Sequence, residues 1–343
     1  MIKKLHILKT LRIFGGAERL IADLCSHDKN CHVLVFDGKQ PYDIYKFKKG
    51  QISIVSNIFK AFLWTLKNGK KFDIYHLHLF PCTYLALLLP RRKTVIHEHN
   101  TTNRRRNYFV FRLIESFLFH RANFISISKG ADRELRRWII GTVNSRVIYN
   151  FSSIPVLKIN TPGFNNQIPF AIMVASFTKQ KDQLRLLKIL AKIKIQNFQF
   201  IFLGEGPQLA DCKAFTETEP HLRNTIKFVG NQDPRVYYKH CVYNVLFSKW
   251  EGFGLTIVEA ARYNKQTITL KCPGLEEVAN PDLTILPCQS DEEVGIIFKN
   301  LHKLLIANQI PSKWTNYLAE KYSVKNYIEE YENFLLTILR EGD

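Results

Sequence analysis

Short apolar runs alternate with amphipathic stretches along the whole chain. In the first half the runs fall at 3–9, 31–37, 51–56, 73–79, 93–98, 122–128 and 145–150. Several are nearly continuous and rich in Val and Ile, the pattern of parallel strands covered on both faces. Between them, 16–27, 106–120 and 129–140 carry helical spacing. Strand–helix alternation of this kind predicts a doubly wound α/β sheet. The stretch 152–168 breaks the rhythm with Pro155, Pro162, Gly163 and the pair Asn165-Asn166, and reads as a linker. The alternation then restarts, with strands predicted at 170–177, 198–204, 226–230, 242–248, 266–270 and 283–287. Helices are predicted at 182–196, 207–216, 233–240, 255–263 and 291–307. The tail 312–341 is helical and aromatic, with Trp314, Tyr317, Tyr322, Tyr327, Tyr331 and Phe334. The expected architecture is two Rossmann-like α/β domains, 1–158 and 168–311, facing each other across a cleft. Residues 312–343 are expected to pack back on the first. Ligands bind at the carboxyl ends of parallel strands, so both domains could contribute to one site.

At 343 residues each half can bury its own core, and 46% hydrophobic with 23% charged residues is ordinary for a globular chain. The charge is not ordinary. Forty-nine Lys+Arg against 30 Asp+Glu leave a net +19, which favours anionic partners: nucleic acid, acidic lipid or phosphorylated substrates. The seven cysteines are scattered without a CxxC pair, so buried reduced thiols are expected rather than a zinc site. The first residues, MIKKLHILKT, enter an apolar strand too short for a signal segment, and no run is long and apolar enough to span a membrane. A cytoplasmic location is expected.

The strongest local signal is SKWEGFGLTIVEAA at 248–261, directly after a predicted strand. Gly252 and Gly254 permit a tight turn that brings backbone amides close to a ligand. A helix predicted from Leu255 would add its N-terminal amides and dipole for phosphate. Glu251 before the turn and Glu259 in the helix could grip the two ends of a nucleotide-sugar. Gly15-Gly16, between the first strand and first helix, offers a similar amide loop. Lys181 supplies a cation for an anionic ligand. The stretch KTVIHEHNTTNRRR at 93–106 ends a strand in His97, Glu98 and His99, and a histidine titrating near neutrality could take a hydroxyl proton. His76 and His78 alternate on a strand; no third and fourth ligand accompany them, so a metal role is not favoured. No Asp-x-Asp motif occurs, and no metal is expected at the diphosphate.

These pieces together are specific. Glu251-x7-Glu259 within EGFGLTIVEA resembles the signature of retaining family 4 glycosyltransferases (glycosyl transferases group 1), which have the GT-B fold. GGAER at 15–19, SISKG at 126–130, VIYN at 147–150, ASFTKQKD at 175–182, LGEGP at 203–207, FVG at 228–230 and PGLEEV at 273–278 resemble further family segments, in the family's order. The resemblance implies transfer of a sugar, with retention, from a nucleotide-diphosphate sugar onto a glycan or lipid-linked acceptor, in surface polysaccharide synthesis. A UDP-sugar is favoured as donor, with no further cofactor. It implies an acceptor-binding first domain and a donor-binding second one. His99, Glu251 and Lys181 are the implied catalytic residues. Gly15, Gly16, Ser176, Lys181, Gly204, Glu205, Gly230, Glu251, Gly252, Phe253, Gly254, Leu255, Thr256 and Glu259 are the implied donor contacts. Many relatives carry Arg where this chain has Ser176, so half of the usual Arg–Lys clamp is missing, with Lys179 as one possible replacement.

Residues 103–124 and 58–71 combine Arg104, Arg105, Arg106, Arg112, Arg121, Lys67, Lys70 and Lys71 with Phe109, Phe111, Phe117, Phe119 and Trp64. Cationic amphipathic helices of this kind lie on anionic membrane faces, so a peripheral position on the inner face of the cell membrane is expected. The alternative is helices that pack between domains. Three rival functions stay open: a nucleotide-sugar epimerase, a non-catalytic nucleotide-sugar-binding subunit, and, from charge alone, a nucleic-acid-binding protein. The last lacks any nucleic-acid module, and no nucleic-acid partner is expected.

Overall fold

The computed structural model describes residues 2–11, 15–41, 45, 47–152, 168–279, 284–285, 290–300, 317–318 and 320–340. It divides into two compact units, Met1–Ser153 with Ser323–Asp343, and Ile154–Tyr322.

The first unit begins with β1 (Lys4–Leu8), α1 (Gly16–His27), β2 (Cys31–Val35), β3 (Ile52–Ile54), α2 (Ile58–Asn68), β4 (Ile74–His78) and β5 (Thr94–Glu98). It continues with α3 (Phe109–Phe119), β6 (Asn123–Ser126), α4 (Lys129–Trp138) and β7 (Ser145–Val147). All seven strands are parallel, in the order β3-β2-β1-β4-β5-β6-β7. Side chains capture amides at the starts of two helices: Asn57 on α2 and Ser128 on α4.

The second unit holds β8 (Phe170–Val174), α5 (Gln183–Ile193), β9 (Gln199–Leu203), α6 (Leu209–Thr218), α7 (Pro220–Thr225) and β10 (Ile226–Gly230). Then follow α8 (Pro234–His240), β11 (Tyr243–Leu246), α9 (Leu255–Ala261), β12 (Thr267–Thr269), β13 (Thr284–Ile285) and α10 (Asp291–Lys299). Its strands are again parallel, ordered β10-β9-β8-β11-β12-β13. Apolar side chains cover both faces, joined on one of them by buried Asn244, Thr267 and Thr269. Ala171, Met173, Phe200, Phe202, Val245 and Ile268 pack on one side, and Phe170, Ile172, Ile201 and Leu203 on the other. The chain then returns to the first unit as α11 (Val324–Arg340). Its Tyr327, Tyr331, Phe334, Leu335 and Ile338 are buried in that unit's core.

The return starts later than the expected residue 312, since Tyr322 still belongs to the second unit. Its ring meets that of Phe253 edge-on at 5.1 Å. The expected linker at 152–168 lies outside the described residues except for its two ends, as do Trp314, Cys288 and the predicted helical residues 301–307. Six described cysteines are free thiols; five are buried and Cys272 is half-buried. Among the described residues, no helix is long and apolar enough to cross a membrane.

Candidate active site

In the second unit the loops that leave β8, β9, β10 and β11 at their carboxyl ends are tied together. The amide of Ala175 donates to Leu203 O (3.0 Å), that of Phe177 to Glu205 O (2.9 Å) and that of Gly204 to Gly230 O (2.8 Å). The fit leaves no room for a side chain at Gly204: with φ +132°, a Cβ there would sit 2.2 Å from the Ala175 carbonyl oxygen. Gly204 and Glu205 therefore lie beside Ser176, at the mouth of one sheet.

The turn after β11 lies next to this group. Gly254 takes φ +85° at the start of α9, and a Cβ there would lie 2.5 Å from Leu275 in the PGLEEV segment. The amide of Glu251 donates to Pro273 O (2.8 Å), which pins the same two loops at a second point. No side chain caps α9 at Gly254. The helix spans only seven residues, so it carries less dipole than the longer helix expected at 255–263.

Two of the three expected catalytic side chains meet here. Lys181 Nζ lies 2.6 Å from Glu251 Oε1, and Ser248 Oγ donates to the same oxygen at 2.5 Å. Both partners are mostly buried, at 20% and 8% side-chain exposure, so the pair is shielded from bulk water without being sealed. Gln180 Nε2 donates to Trp250 O (2.8 Å), and Lys249 N to Gln180 O (2.8 Å). The Lys181 loop and the Glu251 turn are thus joined by backbone, amide and ion-pair contacts. Glu259 is buried (5% exposed) and accepts a hydrogen bond from the Tyr238 hydroxyl at 3.2 Å. Neither acid faces solvent: Glu251 is 6% exposed. Phe253 and Gly252 are buried, Leu255 and Thr256 half-buried, and Ser176 and Lys179 exposed. The Ser176 carbonyl accepts from Gln183 Nε2 at 3.0 Å.

Gly15, Gly16 and His99 lie in the first unit. Gly16 opens α1 after Gly15, which is extended; a Cβ on Gly16 would meet nothing within 4 Å, so packing does not require glycine there. At the carboxyl ends of β1, β2 and β3 an open pocket of about 570 Å³ is lined by Lys9, Thr10, Asp37, Lys39, Ser56 and Asn57, among others.

The premise for His99 as a base needs correction. It does not titrate near neutrality. Burial lowers its pKa to about 3, and its Nε2 is 3.1 Å from His78 Nδ1. It is one of five buried histidines on a single face of the first sheet. Alternation along a strand places His76 with His78, and His97 with His99, on one side. The register pairs His6 with His76 and His78 with His97. Burial lowers the pKa of all five. Lys4, two residues before His6, continues the same face. Burial opposes its charge, but hydrogen bonds to Asp28 (2.6 Å) and Glu332 (2.5 Å) hold its pKa above the ordinary value. Tyr331 of α11 contacts His76 Nδ1 through its hydroxyl at 2.7 Å.

The family description "Glycosyltransferase Family 4" matches residues 14–152, and "Glycosyl transferases group 1" matches 158–320. The chain is a glycosyltransferase of the GT-B type. A protein of the Klebsiella pneumoniae cps region is 22% identical over 96% of this chain and 99% of its own length. The amylovoran biosynthesis glycosyltransferase AmsD of Erwinia amylovora is 24% identical over 40% of this chain and 39% of its own. Among solved structures, HepE of Anabaena, in complex with UDP and glucose, superposes with a TM-score of 0.82 at 16% identity, covering 98% of this chain and 100% of that one. HepE shares the fold of this GT-B glycosyltransferase along the whole chain.

Sequence reasoning missed Ser248 and Tyr238, the partners of the two acids. Ser248, three residues before Glu251, had a local signal; Tyr238 reaches Glu259 only through the packing of α8 against α9's neighbourhood. The histidine face had a signal as well. YHLHL and IHEHN each carry His-x-His at the end of a strand, and parallel pairing sets them side by side.

Proposed function

We propose that this glycosyltransferase moves a sugar, with retention of configuration, from a nucleoside-diphosphate sugar to a glycan or lipid-linked saccharide in surface polysaccharide assembly. One observation carries the donor reading: Lys181 and Glu251, 70 residues apart in sequence, meet at 2.6 Å beside the turn that leads to buried Glu259. Lys181 neutralises charge that builds on the departing diphosphate. Glu251 holds Lys181 in place and orients sugar hydroxyls. Glu259, set by Tyr238, binds the ribose. Gly204, Glu205 and Gly230 border the base, and the turn Gly252–Thr256 approaches the phosphates. With Ser176 in place of an arginine, one fixed charge fewer faces the diphosphate, and Lys179 stands exposed three residues along.

A UDP-sugar is the favoured donor; the HepE complex with UDP and glucose supports this choice. The acceptor falls to the first unit, where the pocket near Lys9 and Lys39 and the open space at Gly16 favour an anionic or phosphate-linked end. Burial makes His99 a weak base, so this reading does not use it as the proton acceptor. The cps-region and amylovoran relatives support a role in surface polysaccharide. Peripheral membrane attachment is supported by exposed Phe109, Val110, Leu113, Ile114 and Phe117 on α3 and by Phe59, Leu63 and Leu66 on α2. Arg105 and Arg106 are committed to Glu115 and Glu98, which leaves Arg104 and Arg121 as the exposed cations beside α3.

A thermal-shift screen against UDP, GDP and their sugars tests this reading, since a bound donor raises the melting temperature. A shift for one nucleotide series, with acceptor-dependent sugar transfer in product analysis, is the expected result. Conversion of the donor sugar without any acceptor would point instead to an epimerase. No shift with any nucleotide would overturn the donor site.

A further inference from the structure

The buried histidine face is more than the glycosyl-transfer reading uses. His6, His76, His78, His97 and His99 are each at most 7% exposed. Their rings stack closely: His76 on His78 and His97 on His99, each at 4.2 Å between centroids. The nitrogens are poorly satisfied. His6 Nε2, His76 Nε2 and both nitrogens of His97 have no hydrogen-bond partner among the described residues. A buried polar group left so costs about 1–3 kcal/mol, and His97 carries two such atoms. A neutral imidazole offers one lone pair for a metal. Five neutral imidazoles crowded in a core are the donor set that borderline divalent metals prefer.

We propose that His78, His97 and His99 bind one divalent transition-metal ion, with zinc as the reference ion. Their candidate ligand atoms all lie within 4.8 Å of one another. Zinc bonds to imidazole at roughly 2.0–2.1 Å, so a tetrahedral site needs nitrogens roughly 3.3 Å apart, within reach of small ring rotations. His78 Nδ1 and His99 Nε2 already stand 3.1 Å apart. A second trio, His6, His76 and His78, meets the same distance test but shares His78, so one ion excludes the other from that ring. Access decides between them: His6, His76 and His78 are fully buried, whereas the outer trio includes His99 at 7% exposure. His99, at 7% the most exposed of the five, marks the way in. The three ligands come from β4, β5 and the residue after β5, so the ion clamps two central strands at their carboxyl ends.

The test uses tag-free full-length protein, stripped with a chelator and titrated with zinc by calorimetry, with metal content measured after gel filtration. One zinc per chain is expected, with His97→Phe and His99→Gln each weakening binding at least tenfold and His6→Gln less than threefold. Affinity unchanged in both outer-trio variants overturns the site, as does a loss confined to His6→Gln. Should a variant fail to fold, zinc-edge X-ray absorption on the wild type decides alone. A shell of nitrogen ligands near 2.0 Å with imidazole scattering supports the site; an oxygen-only shell, or no retained zinc, overturns it.

Discussion

The two sheets of this chain share one strand order over six strands, with β7 added to the first, and differ in what their central strands bury. In the second unit the central strands β8, β11 and β12 present Ala171, Met173, Val245 and Ile268, and the layer is filled by Phe200 and Phe202. In the first unit the corresponding strands β1, β4 and β5 present Lys4, His6, His76, His78, His97 and His99 on one face. The second sheet is a support, and its chemistry is carried by loops at the strand ends. The polar sheet places titratable groups inside the fold, where each unpaired nitrogen lowers stability. Polar burial of this extent persists where something other than packing is served.

Acid should separate the two units most strongly. His6 and His99 have folded pKa values of about 3 against 6.5 for free histidine. Below 6.5 the unfolded chain binds more protons, so stability present at neutral pH is lost as pH falls toward 3. At pH 4.5 the two together remove roughly 5 kcal/mol from the first unit. Burial is the main cause; Lys4 adds to it at His6 and Asp28 opposes it, while Glu332 and Tyr331 face the cluster from α11. Hydrogen exchange resolved by unit should show the first unit opening well before the second; equal loss in both would break the comparison.

The converse damage belongs to the second unit. Phe202→Ala should remove about 3–5 kcal/mol there by opening a cavity among Phe177, Phe228 and β8, read as a lowered urea midpoint. A change under 1 kcal/mol would mean that this core is loosely packed.

A smaller effect sharpens the contrast at the alkaline side. Burial pushes the Glu18 carboxyl, in the first turn of α1, up to about 7 from 4.5. The folded state therefore keeps a proton that the unfolded chain releases, and the stabilisation fades as pH rises through 7. Glu18→Gln should gain about 1–3 kcal/mol at pH 8.5 and almost nothing at pH 4.5. Equal gains at both pH values would rule out titration of Glu18. Least in energy is the surface term. Phe109→Glu with Phe117→Glu should lower co-sedimentation with anionic vesicles severalfold and leave the melting temperature within about a degree, since both rings are exposed.

Much of this was legible in the sequence. Every predicted strand corresponds to an observed one, because buried parallel strands announce themselves as unbroken apolar runs. The short polar helix α7 had no such periodicity and went unseen. The tail was harder to divide, since aromatic residues fit either core; Tyr322 packs on Phe253 while Tyr327 and Tyr331 enter the first unit. At the site, glycines and acids could be named from spacing, but the contact of Lys181 with Glu251 could not, since it joins two loops through tertiary structure. The histidines show the same limit. His76 and His78 were visible as a pair, and strand register supplied the other three.

The donor site is tested most directly by calorimetric titration of UDP and, in parallel, GDP into wild-type protein, Glu259→Ala and Lys181→Ala. Saturable binding of one nucleotide at one site per chain is predicted, weakened at least tenfold in each variant. Equal affinity across all three proteins, or no saturable binding of either nucleotide, would contradict it.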